Sequence, residues 1–358
     1  MSTHPQGYSR RQVLRLASLA VGAAALPSAC QTIAGTPDQN SSPTPKLAME
    51  PRSTASTSGS SRVVLIRTED RVTGTRQALE LLQPEGMTGQ TIFIKPNYNT
   101  ADPAPASTDT ELLKALIEEF QAARAGQITI GDRSGMAETR TAMTQKGVFE
   151  LSDRYGVKTV VLDELAAEDW QSFPAAGTHW PQGFAFARPI LQAGAIVNTC
   201  CLKTHRFGGH VTLSLKNSVG MVAKYVPGQS HNYMNDLHTS PQQRLMIAEI
   251  NRVYQPALVL LDGVEAFVNG GPEAGKTVKA GVILAGTDRV AIDVVGTAIL
   301  RSLGTTSAVS AGSIWQQDQI RRAVELGLGA SHPDQIEIVT ADAAGRAMAD
   351  QLLPLLQV

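Results

Sequence analysis

The stretch Thr91-Ile92-Phe93-Ile94-Lys95-Pro96-Asn97 is followed by a helix-like segment from Thr110 to Arg124, and then by Gln127-Ile128-Thr129-Ile130-Gly131-Asp132. The two outer pieces are short runs rich in β-branched and aromatic residues, which favour extended backbone. Between them Leu112, Leu113, Leu116, Ile117 and Phe120 recur at i, i+3 and i+4 spacing, the apolar stripe of a helix, with Thr108 or Asp109 available as its N-cap. Strand, helix, strand is the unit from which parallel sheets are built, because two parallel strands need a long crossover between them.

The same alternation extends in both directions. Strands are expected at Arg62 to Arg67, Thr91 to Lys95, Gln127 to Gly131, Val157 to Leu162, Ala195 to Thr199, Ala257 to Leu261, Val278 to Leu284 and Gln335 to Val339. Helices are expected at Thr75 to Leu82, Thr110 to Arg124, Glu138 to Tyr155, Gln242 to Tyr254, Asp288 to Leu303 and Ser313 to Leu326. The fold class that follows is α/β, a mostly parallel layered sheet flanked by helices. No internal repeat or clear boundary interrupts residues 62–358, which read as one domain. The least regular part is the Gly- and His-rich stretch from Thr204 to Ser240.

The N-terminal segment has a different character. Ser9-Arg10-Arg11-Gln12-Val13-Leu14 is a twin-arginine pattern, followed by an apolar stretch from Val13 to Leu26 that is too short for the roughly 20 residues of a spanning helix. Residues 1–29 therefore read as a twin-arginine signal peptide, and the expected location is periplasmic or cell-surface. Leu26-Pro27-Ser28-Ala29-Cys30 is similar to a lipobox, although Pro27 stands where leucine is usual; Cys30 is the expected lipidation site, with simple cleavage after Ala29 as the alternative. Residues 30–61 read as a disordered tether: of the 31 residues from Gln31 to Ser61, 18 are Ser, Thr, Pro or Gly, too few apolar groups to offset ordering. Such a tether would hold the body near a membrane.

Composition narrows the functional classes. The chain of 358 residues is 42% hydrophobic and 18% charged, enough for a sizeable core. Once the five basic and two acidic side chains of the first 61 residues are set aside, 26 basic and 30 acidic remain. That balance argues against a nucleic-acid partner, and it requires any anion site to be local. The only cysteines in the body are the adjacent Cys200 and Cys201, read as small buried thiols rather than a disulfide framework.

In sheets of this class, ligands gather beyond the carboxyl ends of strands. Polar residues collect there: Lys95 and Asn97, then Asp132 in Gly131-Asp132-Arg133-Ser134-Gly135, Lys203 and His205, Lys216 and Asn217, and Asp262. Three lysines and a histidine at neighbouring strand ends would repel one another unless an anion compensates, so the expected partner is a small anionic ligand. Lys203, His205, Lys216 and Asp262 are the candidates for catalysis, with Asp262 or Asp132 orienting His205. Lys95, Asn97, Asp132 and Asn217 are the candidates for substrate binding. His205, His231 and His238 lie close enough in sequence to suggest a metal, although they match no closed ligand motif. There is no Gly-x-Ser-x-Gly elbow. Gly270 to Thr277 satisfies the phosphate-loop spacing, but Pro272 lies inside it and a strand is expected after it, so nucleotide binding is not expected there.

Together, Ile94-Lys95-Pro96-Asn97, Ile130-Gly131-Asp132, Cys201-Leu202-Lys203-Thr204-His205, Val211-Thr212-Leu213-Ser214-Leu215-Lys216-Asn217, Asp262-Gly263 with Gly270-Gly271-Pro272, and Asp288-Arg289-Val290-Ala291-Ile292-Asp293 resemble the domain-of-unknown-function 362 family, in order from about Val63 to Leu303. The Lys-Thr-His and Leu-Lys-Asn pair is the most specific part. The resemblance implies no particular reaction. Many members resemble iron–sulfur proteins through an added ferredoxin-like module with Cys-x-x-Cys repeats. This chain has no such repeats, and two body cysteines cannot ligate a four-iron cluster, so that role is not carried over. The expectation is an exported enzyme acting on a small anionic substrate, with a metal or redox cofactor as an option. Its alternative is a membrane-tethered ligand-binding protein without catalysis.

Overall fold

The computed structural model of the chain describes residues 60–208 and 210–357. The signal-peptide and Cys30 readings lie outside those residues, as does all of the tether but its end; Ser61, counted in the tether, is the first residue of β1. Strands β1 (Ser61–Arg67), β2 (Ile92–Lys95), β3 (Ile128–Asp132), β4 (Lys158–Val161), β5 (Trp170–Phe173), β6 (Phe184–Ala187), β7 (Ala195–His205), β8 (His210–Thr212), β9 (Leu258–Gly270), β10 (Gly275–Gly286) and β11 (Ile336–Thr340) follow in chain order. Nine of them form one sheet in the order β11-β1-β10-β9-β7-β2-β3-β4, with β8 paired to β7; β5 and β6 form a separate hairpin.

Pairing is parallel for β1 with β11, and for β9, β7, β2, β3 and β4 in succession. Only β10, between β9 and β1, and the short β8 run antiparallel to their neighbours. The expected mostly parallel α/β sheet is therefore observed. Helices cover both faces, which is why the strands read as nearly unbroken apolar runs. In β1, Val63 and Leu65 join the core beneath helix Arg289–Ser302, while Val64 and Ile66 join the core beneath helices Arg71–Leu82 and Thr110–Ala122. Asp109 caps the second of these by accepting from the N–H groups of Glu111 and Leu112.

The phosphate-loop lookalike is a strand-to-strand turn. Gly270 ends β9, Gly275 begins β10, and no helix follows to point its N-terminus at a phosphate. Gly271 is required there: at φ +70 its Cα faces the backbone, and an added Cβ would lie 2.1 Å from Thr204 O.

Candidate active site

Because β2, β3 and β7 are parallel neighbours, their carboxyl ends open on one edge of the sheet. Lys95 is the last residue of β2 and is level with Asn198; Asp132 is the last residue of β3. β7 continues past them to His205, folds back through β8, and feeds the short helix Ser214–Asn217. The chain thereby returns Lys216 and Asn217 to the end where Lys95, Asn97 and Asp132 already stand.

The result is a cavity of about 270 Å³ lined by Lys95, Asn97, Asp132, Lys203, His205, Lys216 and Asn217, all of them named from the sequence. Arg133, Tyr98, Asn99, Thr212 and His238 add further polar groups to its wall. Most of these polar groups form a buried network. Lys95 Nζ is 2.6 Å from Asp132 Oδ1 and 3.2 Å from Asn217 Oδ1. Asn97 Nδ2 donates to Asn217 Oδ1 (3.0 Å), and Asn97 Oδ1 accepts from Lys203 Nζ (2.8 Å). Asn217 Nδ2 in turn donates to Asn198 Oδ1 (2.6 Å) and Thr199 O (3.0 Å). Asp132 is fully engaged, accepting the Tyr98 N–H (2.7 Å) and its neighbour's N–H (2.6 Å) besides holding Lys95. Gly220 makes room for this pair, since a Cβ there would lie 2.8 Å from Lys95 Nζ and 2.7 Å from Asp132 Oδ1.

Charge is not balanced in this space. Four cations line the cavity, and Asp132 is its one carboxylate. Lys203 bonds only to neutral oxygens, Asn97 Oδ1 and Ala106 O. Arg133 bonds to the carbonyls of Val222 (2.6 Å), Val219 (2.5 Å) and Ser134 (3.1 Å), and to the Met234 sulfur. Lys216, 9% exposed, makes no hydrogen bond or ion pair with any described residue. Burial, reinforced by Lys203 and Arg133, brings the Lys216 pKa down to about 7. Three more wall groups, Tyr98 Oη, Asn99 Nδ2 and Thr212 Oγ1, are buried without a hydrogen-bond partner among the described residues.

The two histidines differ in tautomer. His205 Nδ1 accepts the Phe207 N–H (3.2 Å), so a neutral ring carries its proton on Nε2. Burial, then Lys216 and Lys203, push its pKa far down and keep it neutral. His238 is the reverse: Nδ1 lies 2.7 Å from Met234 O and must donate to it, which leaves the lone pair on Nε2. Burial lowers its pKa as well.

Two expectations are corrected. Asp262 does not line the cavity and does not orient His205. Its carboxylate is held by Arg71 (2.7 Å) and caps the Val264 N–H (3.1 Å), while His205 is oriented by the Phe207 backbone. Nor do His205, His231 and His238 converge as a metal triad. His231 lies 3.0 Å from Asp236 and outside the cavity wall, and His205 could ligate through Nε2 only by giving up the Phe207 hydrogen bond. Among the described residues no group of three or more His, Cys, Asp or Glu side chains is placed to hold a metal ion. The surplus positive charge would itself repel one. Cys200 and Cys201 are free and buried, and burial raises both thiols, Cys201 to about 11, so they stay protonated.

Arg133 is the cavity cation that the sequence did not single out. The signal was present, since it follows Asp132 at a strand end, but nothing in the sequence told its side chain from a solvated one.

Every residue lining the cavity falls between positions 92 and 298, the part of the chain matched by the family model described as Domain of unknown function (DUF362). The chain belongs to this family. The DUF362 region begins at β2 and runs into helix Arg289–Ser302, so β1 and the final strand and helix lie outside the match. No curated protein matches the chain. Among solved structures, the lactate racemase apoprotein from Thermoanaerobacterium thermosaccharolyticum is similar at 16% identity and a TM-score of 0.38, over 63% of this chain and 54% of that one. The chain thus spans about half the length of that protein.

Proposed function

We propose that this DUF362 protein is an enzyme that binds a small anion in the cavity and moves a proton on it. The observation that carries this reading is Lys216, a buried ammonium with no partner among the described residues, facing a space it shares with Arg133 and Lys203. An unpaired buried charge costs several kcal/mol. An anion among the three would offset that cost.

The chain's own residues supply the parts of a proton transfer. Lys203 and Arg133 are held by neutral atoms and fixed before the ligand arrives; burial lowers the pKa of each, and an anion beside them would favour their charged forms. His205 presents a neutral N–H donor where negative charge develops. Lys216, titrating near neutrality, takes or returns the proton, since an acid–base group works best with a pKa close to the working pH. Asp132 keeps Lys95 neutralised and in place.

We also propose that the protein works outside the cytoplasm, exported through its twin-arginine segment and anchored at Cys30. The Ser9–Leu14 pattern and the lipobox-like Leu26–Cys30 support this. An Arg10→Lys, Arg11→Lys double variant is expected to stay in the cytoplasm on fractionation.

Binding and catalysis separate in one experiment. Protein is titrated with phosphate, acetate and small hydroxy- and oxo-acids by calorimetry, and each ligand that binds is incubated in D₂O and followed by proton NMR. Deuterium entering the carbon next to the acid group in wild type, and not in Lys216→Met, is the expected result. Binding without any exchange would make the protein a tethered binding module, and absence of binding would end the anion reading altogether.

A further inference from the structure

The buried cations account for the inner wall of the cavity but not for its opening. Met136 and Phe207 are two of the four large hydrophobic side chains exposed among the described residues, at 53% and 49%, and both line this one cavity. They come from separate segments, Met136 from the loop after β3 and Phe207 from the turn between β7 and β8. Their meeting therefore does not follow from closeness in the chain. Val219, Met234 and Pro272 add further apolar lining. Single exposed apolar residues need no explanation, but several converging on one concave site mark a place where apolar ligand surface is buried.

Phe207 is also held in position. The Arg206 guanidinium lies 4.3 Å from the centre of its ring, and that guanidinium is fixed by Glu273 and by Gly271 O at 2.9 Å. The His205 ring meets it edge-on, with centroids 5.8 Å apart. A side chain so restrained loses little freedom when a ligand packs on it, which is how a binding surface gains affinity. Size agrees: a cavity of about 270 Å³ holds more than a bare oxyanion.

We infer that the ligand is an amphipathic anion, with a carboxylate or phosphate head among Lys203, Lys216 and Arg133 and a short alkyl or aryl tail lying against Phe207 and Met136. This rests on the anion-binding reading above and adds the substrate class to it. Inorganic phosphate and acetate should bind weakly, because they leave the apolar opening wet. Each methylene that is fully buried tightens binding about fourfold, the equivalent of about 0.8 kcal/mol.

The test is calorimetric titration of the purified protein with inorganic phosphate, acetate, butanoate, hexanoate and phenylacetate. Hexanoate is expected to bind at least tenfold tighter than acetate, and phenylacetate to join the tight end of the series. In Phe207→Ala the hexanoate-to-acetate ratio should fall below threefold, with Met136→Ser giving a smaller fall in the same direction. Phosphate or acetate binding with no dependence on tail length in wild type would overturn the amphipathic ligand while leaving the anion site intact. Failure of all five to bind would overturn both. A tail dependence untouched by either substitution would also overturn the assignment of the subsite.

Discussion

At the scale of single residues, Lys216 links the stability of the fold to the proposed anion site. Its pKa of about 7 in the fold lies below the ordinary 10.5, so the penalty for burying its charge is fully present below pH 7 and fades as pH rises from 7 towards 10.5. Replacing it with methionine, which keeps the bulk and removes the charge, is expected to stabilise the ligand-free protein by roughly 1–3 kcal/mol at pH 6 and by much less at pH 10, read from urea unfolding at the two values. Anion affinity should run the other way. It should be greatest below pH 7, weaken as Lys216 loses its proton, and lose that pH dependence in the methionine variant. A wild-type affinity flat from pH 6 to pH 9 would mean that Lys216 does not meet the ligand. At this scale the sequence was informative about which residues matter and blind to their partners. Lys95, Asn97, Asp132, Lys203, His205, Lys216 and Asn217 could be found because each stands at or beyond the end of a strand expected from the sequence, and strand ends share an edge. Asp262 follows the expected strand Ala257 to Leu261 by the same rule, yet it lies inside β9, and Arg71, nearly two hundred residues earlier, captures it. No local pattern announces a partner so distant.

Among the elements, the helix Ser214–Asn217 has only four residues and could not persist alone. It is held by Asp293, buried in helix Arg289–Ser302. One oxygen of Asp293 accepts the Ser214 N–H (2.8 Å) and Ser214 Oγ–H (2.5 Å), and the other accepts the Leu215 N–H (3.1 Å). Burial raises this carboxyl to about 7. Asp293→Asn, which turns one acceptor into a donor facing an N–H, is expected to cost about 1–3 kcal/mol of stability and to weaken anion binding by loosening Lys216 and Asn217. Equal losses of stability with anion affinity intact would show that the helix is not what positions them. Element lengths were the least legible part of the sequence. The strand expected over Ala195 to Thr199 runs on to His205, since the polar Lys203-Thr204-His205 that follows is itself buried. The expected helix from Glu138 to Tyr155 is two helices, broken at Gly147 in the left-handed region at φ +68. The helix Ala343–Leu356 was not foreseen, since its glycine and Pro354 weaken the helical signal.

At the scale of the whole molecule, the proposed anion site has reason to be enclosed. The body is mildly acidic, with 26 basic against 30 acidic side chains, so its long-range field does not draw anions in. Attraction exists only inside the cavity, where low dielectric strengthens it. Association should therefore depend weakly on ionic strength when tested with an electrolyte whose anion is too large to enter. The walls come from β2, β3, β7 and β8, from the loops after β2 and β3, from the helix Ser214–Asn217 and the residues after it, from the turn after β9 and from the helix Tyr233–Thr239. A ligand touching all of them joins segments nearly 180 residues apart, so its binding energy should appear as stability of the entire α/β body rather than of one loop. Ligand at 100 times its Kd adds about 2.7 kcal/mol, which for a body of this size raises Tm by about 5 °C. Scanning calorimetry should show one cooperative transition moving as a unit by that amount, and no shift in Lys216→Met at the same ligand concentration. Two transitions, of which only one moves, would mean that the cavity belongs to a part of the sheet that unfolds independently, with its strand ends uncoupled from the rest of the core.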